Sequence, residues 1–66
     1  MKVKINGEVQ EIPDGLNVRA MLDHLAMTGT RVAIERNLEI LPRSEWTGTQ
    51  VQINDSFEIV HFVGGG

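Results

Sequence analysis

The sequence predicts an α+β domain: a mixed sheet of four to five strands with one main helix packed on one face. Three observations predict it. Asn6-Gly7 divides the first twelve residues into two short alternating runs. Only the stretch from Val18 to Leu25 repeats its apolar residues at helical spacing. The rest returns to alternation, in segments punctuated by glycine, proline and asparagine.

Met1 to Asn6 reads as a strand, with Val3 and Ile5 on one face and Lys2 and Lys4 on the other. Asn6-Gly7 is a strong hairpin signal, because both central residues of a type I′ turn need positive φ. The partner strand runs from Glu8 to Ile12, with Val9 and Ile12 as its apolar residues, and Pro13-Asp14-Gly15 breaks it. Asn17 then suits the N-cap of a helix whose buried face is Val18, Met21, Leu22 and Leu25. Leu16, just before the cap, is placed to staple onto Met21. Gly29 reads as the C-terminal stop. Arg19, Asp23 and His24 fall on the opposite, solvated face.

Arg31 to Arg36 forms a third strand, and Leu38 to Leu41 a short fourth ended by Pro42. Ser44 is placed to cap a single helical turn, Ser44 to Thr47, whose Trp46 packs over one edge of the core. Val51 to Ile53 and Phe57 to Val63 read as a closing hairpin joined by Asn54-Asp55-Ser56. The first hairpin, one covering helix and a mixed sheet together point to a β-grasp architecture with its second sheet face open.

At 66 residues the chain is read as one small domain, residues 1–63, with a glycine tail at 64–66. A domain of this size buries only about 60% of its unfolded surface, too little to wall a deep pocket. That argues against a self-sufficient enzyme. There is no cysteine, which excludes disulfides, thiolate metal sites and a cysteine nucleophile. The net charge is −3, from nine acidic and six scattered basic residues, so no nucleic-acid stripe is present. The N-terminal run lacks the apolar stretch of a signal peptide or membrane span, and a cytoplasmic protein is expected. His24 and His61 lie far apart without a third ligand, so no metal site is expected. Asp14, Asp23 and Asp55 read as turn or surface capping groups.

Gly64, Gly65 and Gly66 follow directly on the last strand. They read either as a frayed end or as a working tail projecting from a rigid body. Glycine lets a backbone enter a cleft too narrow for side chains. A terminal carboxylate, with a pKa near about 3.5, is ionised and a poor electrophile until it is converted to an anhydride. The sequence has no G-x-x-x-x-G-K-[ST] loop to bind ATP for that step, so a partner must supply it. On the final strand, Phe57 and Ile59 share the core-facing side. Glu58, Val60 and Phe62 then fall on the open face, where exposed apolar residues form a docking patch.

The early Asn-Gly hairpin, Val18-Arg19-Ala20-Met21-Leu22 and Val32 to Asn37 are familiar together, as is Leu41-Pro42-Arg43-Ser44-Glu45-Trp46. With Asp55, Glu58-Ile59-Val60 and the end Val63-Gly64-Gly65-Gly66, they resemble the ThiS family of sulfur carriers over essentially the whole chain. Asn54 departs from the resemblance, since the family commonly has glycine there. The resemblance implies a ubiquitin-like β-grasp fold and a protein acted on by enzymes. A ThiF-type adenylyltransferase would use ATP and magnesium to adenylate Gly66. Sulfur from a donor protein would convert it to a thiocarboxylate, and thiazole synthase would receive that sulfur in thiamine biosynthesis. The alternatives are a carrier of the molybdopterin pathway, another ubiquitin-like tail donor, or a passive β-grasp interaction domain.

Overall fold

The computed structural model describes residues 1–29 and 31–62. Its strands are β1 (Lys2–Ile5), β2 (Glu8–Glu11), β3 (Val32–Arg36), β4 (Glu39–Ile40) and β5 (Ser56–His61), with one helix, α1 (Val18–His24), between β2 and β3. They form one sheet in the order β2-β1-β5-β3-β4. β1 pairs antiparallel with β2 and parallel with β5, and β5 pairs antiparallel with β3. This is the β-grasp arrangement, and the last strand in sequence is the middle one in space.

The first turn forms as its residues require. Asn6 and Gly7 have φ of 51° and 84°, the pair of positive values a type I′ turn needs. The Asn6 side chain then reaches across to the central strand. Its Oδ1 accepts from Ile59 N at 2.7 Å and its Nδ2 donates to Ile59 O at 3.1 Å. The parallel β1–β5 ladder covers only Lys4–Ser56 and Ile5–Phe57, so this amide carries the pairing onward.

Asn17 caps α1 as expected, its Oδ1 accepting from Ala20 N at 2.8 Å. The stop differs from expectation: the helix ends at His24, before Gly29 is reached. Ala26 takes the left-handed conformation, φ 56°. Ala26 N donates to Asp23 O at 3.1 Å and Met27 N to Leu22 O at 2.9 Å, the two bonds of a Schellman motif. Half-buried Met27 packs on the core and supplies the apolar contact that accompanies such a stop.

Two further expectations are corrected. Residues 51–53 form no strand, because this stretch bonds to the chain leading into the helix. Val18 N donates to Thr49 O at 2.9 Å and Val51 N to Leu16 O at 3.0 Å, leaving β5 to pair with β1 and β3. Ser44 caps nothing: Pro42 occupies the N-cap of a 3-10 turn over Arg43–Glu45, closed by Glu45 N donating to Pro42 O at 2.9 Å.

Asp55 is not a surface group. It is 5% exposed, and its carboxylate accepts from Arg36 Nε at 3.0 Å, Asn37 Nδ2 at 3.1 Å and Gln52 N at 2.8 Å. It thereby ties the β3–β4 turn to the turn before β5. In that second turn Asn54, at φ 68°, tolerates the left-handed geometry for which the resemblance led us to expect glycine.

The core lies between α1 and the inner sheet face. Val3, Ile5, Val32, Ile34, Phe57 and Ile59 meet Val18, Met21 and Leu22, with Ile12, Trp46 and Val51 closing the sides. Trp46 is 2% exposed and its Nε1 donates to Leu41 O at 3.0 Å, so the indole is a core residue, as its position in the sequence suggested.

Asn6→Gly retains the positive φ while deleting both bonds to Ile59. It lowers unfolding free energy by about 1–3 kcal/mol, read from urea denaturation, because Ile59 N–H and C=O then lose their partner away from bulk water. An unchanged midpoint would show that the β1–β5 ladder holds without the amide.

Candidate functional site

The site is built on β5. Its residues alternate: Phe57 and Ile59 are 0% and 3% exposed, whereas Val60 is 56% exposed. Phe62, just beyond the strand, is 50% exposed, and Glu58 is also exposed. The inward and outward sets therefore match the sequence reading, with β5 presenting Glu58 and Val60 on the uncovered face.

The register adds neighbours that alternation on one strand cannot show. Glu58 stands opposite Glu35 and Val60 opposite Ala33, while Glu35 stands opposite Ile40 of β4. Ile40 is exposed. Apolar Val60 and Ile40 thus flank two carboxylates placed side by side, a pairing that is unfavourable within a sheet. Sequence reasoning missed Glu35 and Ile40. Only the β3–β5 and β3–β4 registers, which are long-range information, bring them to this face. At the other end of β5, a shallow groove is lined by Lys2, Lys4, Val9, Asn54 and Ser56 among its residues.

Among the described residues, the last backbone bond of this region runs from Phe62 N to Arg31 O at 3.0 Å. It holds residue 62 beside the start of β3. Val63 and the proposed tail, Gly64, Gly65 and Gly66, lie outside the described residues. Among the described residues, no group of three His, Cys, Asp or Glu side chains could hold a metal ion. His24 lies at the end of α1 and His61 at the end of β5. Among the described residues, no helix is long and apolar enough to cross a membrane. Among the described residues, one titrating group is displaced: the Met1 ammonium has its pKa raised, chiefly by hydrogen bonding to Asp14 and then to Glu11. It belongs to the β2 end of the sheet and is remote in sequence from the β5 face.

A model of the ThiS family matches residues 3–66. The chain belongs to the ThiS family. This member of the family is similar to several known proteins. The crystal structure of the thiamine biosynthesis protein ThiS from Geobacter metallireducens superposes with a TM-score of 0.86 at 32% identity, covering 100% of both chains. A thiazole synthase of Paramagnetospirillum magneticum is 44% identical over 66 residues, and one of Magnetococcus marinus is 35% identical. All of the chain matches in both cases, yet it spans only 20% of the length of either relative. The ThiS fold found by comparison is therefore the fold described above, with β5 at its centre.

The two faces of β5 give opposite responses to a charge. Phe57→Asp abolishes cooperative folding, since an unpaired carboxylate in the core costs more than a domain of this size can spare; at roughly 0.05–0.15 kcal/mol per residue its total stability is about 3–10 kcal/mol. Val60→Asp and Phe62→Asp shift the thermal midpoint by no more than about 4–8 °C, the equivalent of about 1 kcal/mol. Circular-dichroism melts of the three variants check this, and a reversed order would invert the assignment of the faces.

Proposed function

We propose that the chain carries sulfur on the α-carboxylate of Gly66 and delivers it to thiazole synthase. Membership of the ThiS family across residues 3–66 is the observation that carries this reading. The fold agrees with it: the sheet holds residue 62 beside β3, and Val63 and three glycines are the residues that follow.

The chemistry requires partners. A ThiF-type adenylyltransferase binds ATP and magnesium, and a carboxylate oxygen of Gly66 attacks the α-phosphorus as pyrophosphate leaves. A sulfur nucleophile then attacks the acyl carbon and AMP departs. With sulfide the product is the thiocarboxylate directly. With a persulfide on a donor protein, the acyl persulfide first formed yields the thiocarboxylate when a thiol reduces its S–S bond. The sequence has no G-x-x-x-x-G-K-[ST] loop, and the part proposed for it is that of a protein substrate. Val60, Phe62 and Glu58 form the docking patch for the adenylating enzyme, with Glu35 and Ile40 as neighbours. A basic side chain of the partner set between Glu35 and Glu58 would relieve their repulsion. Thiazole synthase is the proposed acceptor because two relatives of that name contain a segment similar to this whole chain.

The test is incubation with a ThiF-type enzyme, ATP, magnesium and sulfide, followed by intact-mass measurement. The chain gains the mass difference between one sulfur and one oxygen, and fragmentation places it at Gly66. Deleting Gly66, or adding a residue after it, abolishes the gain and leaves the melting temperature nearly unchanged. A gain at another residue, or an isopeptide bond to a second protein, would replace the carrier by a modifier. No change at all would leave a passive interaction domain.

A further inference from the structure

The Pro42–Trp46 segment takes no part in the carrier chemistry, yet its contacts run toward the end of β5. Trp46 is fixed in the core by its bond to Leu41 O. The Arg43 guanidinium lies 4.5 Å from the centroid of the Trp46 ring. Its Nη2 donates to Gly29 O at 2.6 Å. Gly29 precedes Arg31 by two residues, and Arg31 O accepts from Phe62 N at 3.0 Å. Contacts thus join a buried indole, through one guanidinium, to the backbone at Gly29, two residues before the carbonyl that accepts from Phe62. A planar guanidinium stacked on an aromatic ring loses much of its freedom, so its remaining N–H groups point in a set direction.

We propose that Arg43 is a positioning residue for the reacting tail. Through a guanidinium seated over Trp46 it holds Gly29, keeps the Phe62–Arg31 bond closed and so keeps Phe62, four residues before Gly66, beside the start of β3. This rests on the reading of Gly66 as the carrier carboxylate. If the bond opens, Phe62 loses its fixed place, and ordering that residue again in a partner's cleft lowers productive capture on the order of tenfold. The docking face lies on β5 and its neighbours, so initial association stays unaltered. The loss is therefore one of turnover.

Full-length Arg43→Ala, Arg43→Gln and Arg43→Lys chains test the idea by two readouts. The first is amide exchange. Arg43→Ala speeds exchange at Phe62 about tenfold, as expected for a hydrogen bond to a charged donor, while Ile59, bonded to Asn6, is unaffected. The second is steady-state adenylation by a ThiF-type enzyme with ATP and magnesium. Arg43→Ala lowers kcat about tenfold, with KM for the carrier within about twofold. Gln, a planar uncharged donor, recovers both readouts better than Lys, which keeps the charge and loses the fork. A raised KM with unchanged kcat, restored by Lys and not by Gln, would make Arg43 a charge contact to the enzyme and overturn the proposal. Unchanged Phe62 exchange in Arg43→Ala would overturn it as well. A wild-type chain that is never adenylated would overturn the carrier reading itself, and with it any role of Arg43 toward the tail, whatever the exchange shows.

Discussion

Asn6 acts as a strand residue through its side chain: one amide accepts from and donates to the backbone of Ile59, extending a ladder that β1 itself carries for only two residue pairs. Much depends on that substitution of side chain for backbone. Without a firm seat between β1 and β3, the last strand could not place Phe57 and Ile59 in the core, and Val60 would have no fixed position outside it. Asp55 completes the seat from the other end, joining Arg36 and Asn37 to the turn from which β5 starts. Charge buried in this way is costly unless it is paired and hydrogen-bonded, and here both carboxylate oxygens are engaged. Among the described residues, no buried side-chain polar atom lacks a partner.

Features encoded within a few residues were legible in the sequence. Asn6-Gly7 requires its turn, Asn17 caps its helix, and the alternation of Phe57 and Ile59 with Glu58 and Val60 sorts one strand into two faces. What escaped is information stored at long range. Val51-Gln52-Ile53 alternates like a strand, yet its neighbourhood bonds to residues 16–18, a choice made by the chain before the helix. Asp55 looks like a turn residue, and half of it is one, since Gln52 N is its local partner. Its burial follows from Arg36, nineteen residues away, which no local pattern names. The helix stop was missed for a different reason. Glycine is the usual signal for a left-handed cap, and Ala26 accepts that conformation because Met27 gains a place on the core.

The candidate site was legible in outline for the same reason. Exposure of Val60 follows from period two along one strand, whereas Glu35 and Ile40 enter through cross-strand register. The face that results is poorly suited to stability alone, with like charges opposed and apolar groups in water. The inner face of the same strand is closely filled. One strand thus separates what maintains the fold from what is left available to a partner.

The position of β5 also has a consequence for how the molecule comes into being. The Asn6–Ile59 bonds span 53 positions of sequence. Among the described residues, the hairpin β1–β2 and the pair β3–β4 have no ladder to each other, and only β5 bridges them. During synthesis, therefore, the greater part of the chain must wait without a sheet centre until its final strand has emerged. Contacts of such high order slow folding, because a long loop is closed before any reward arrives. The converse holds for the finished molecule. A fragment ending before Ser56 has every element except the one that joins them, and a separate peptide carrying Ser56–His61 would be its natural complement.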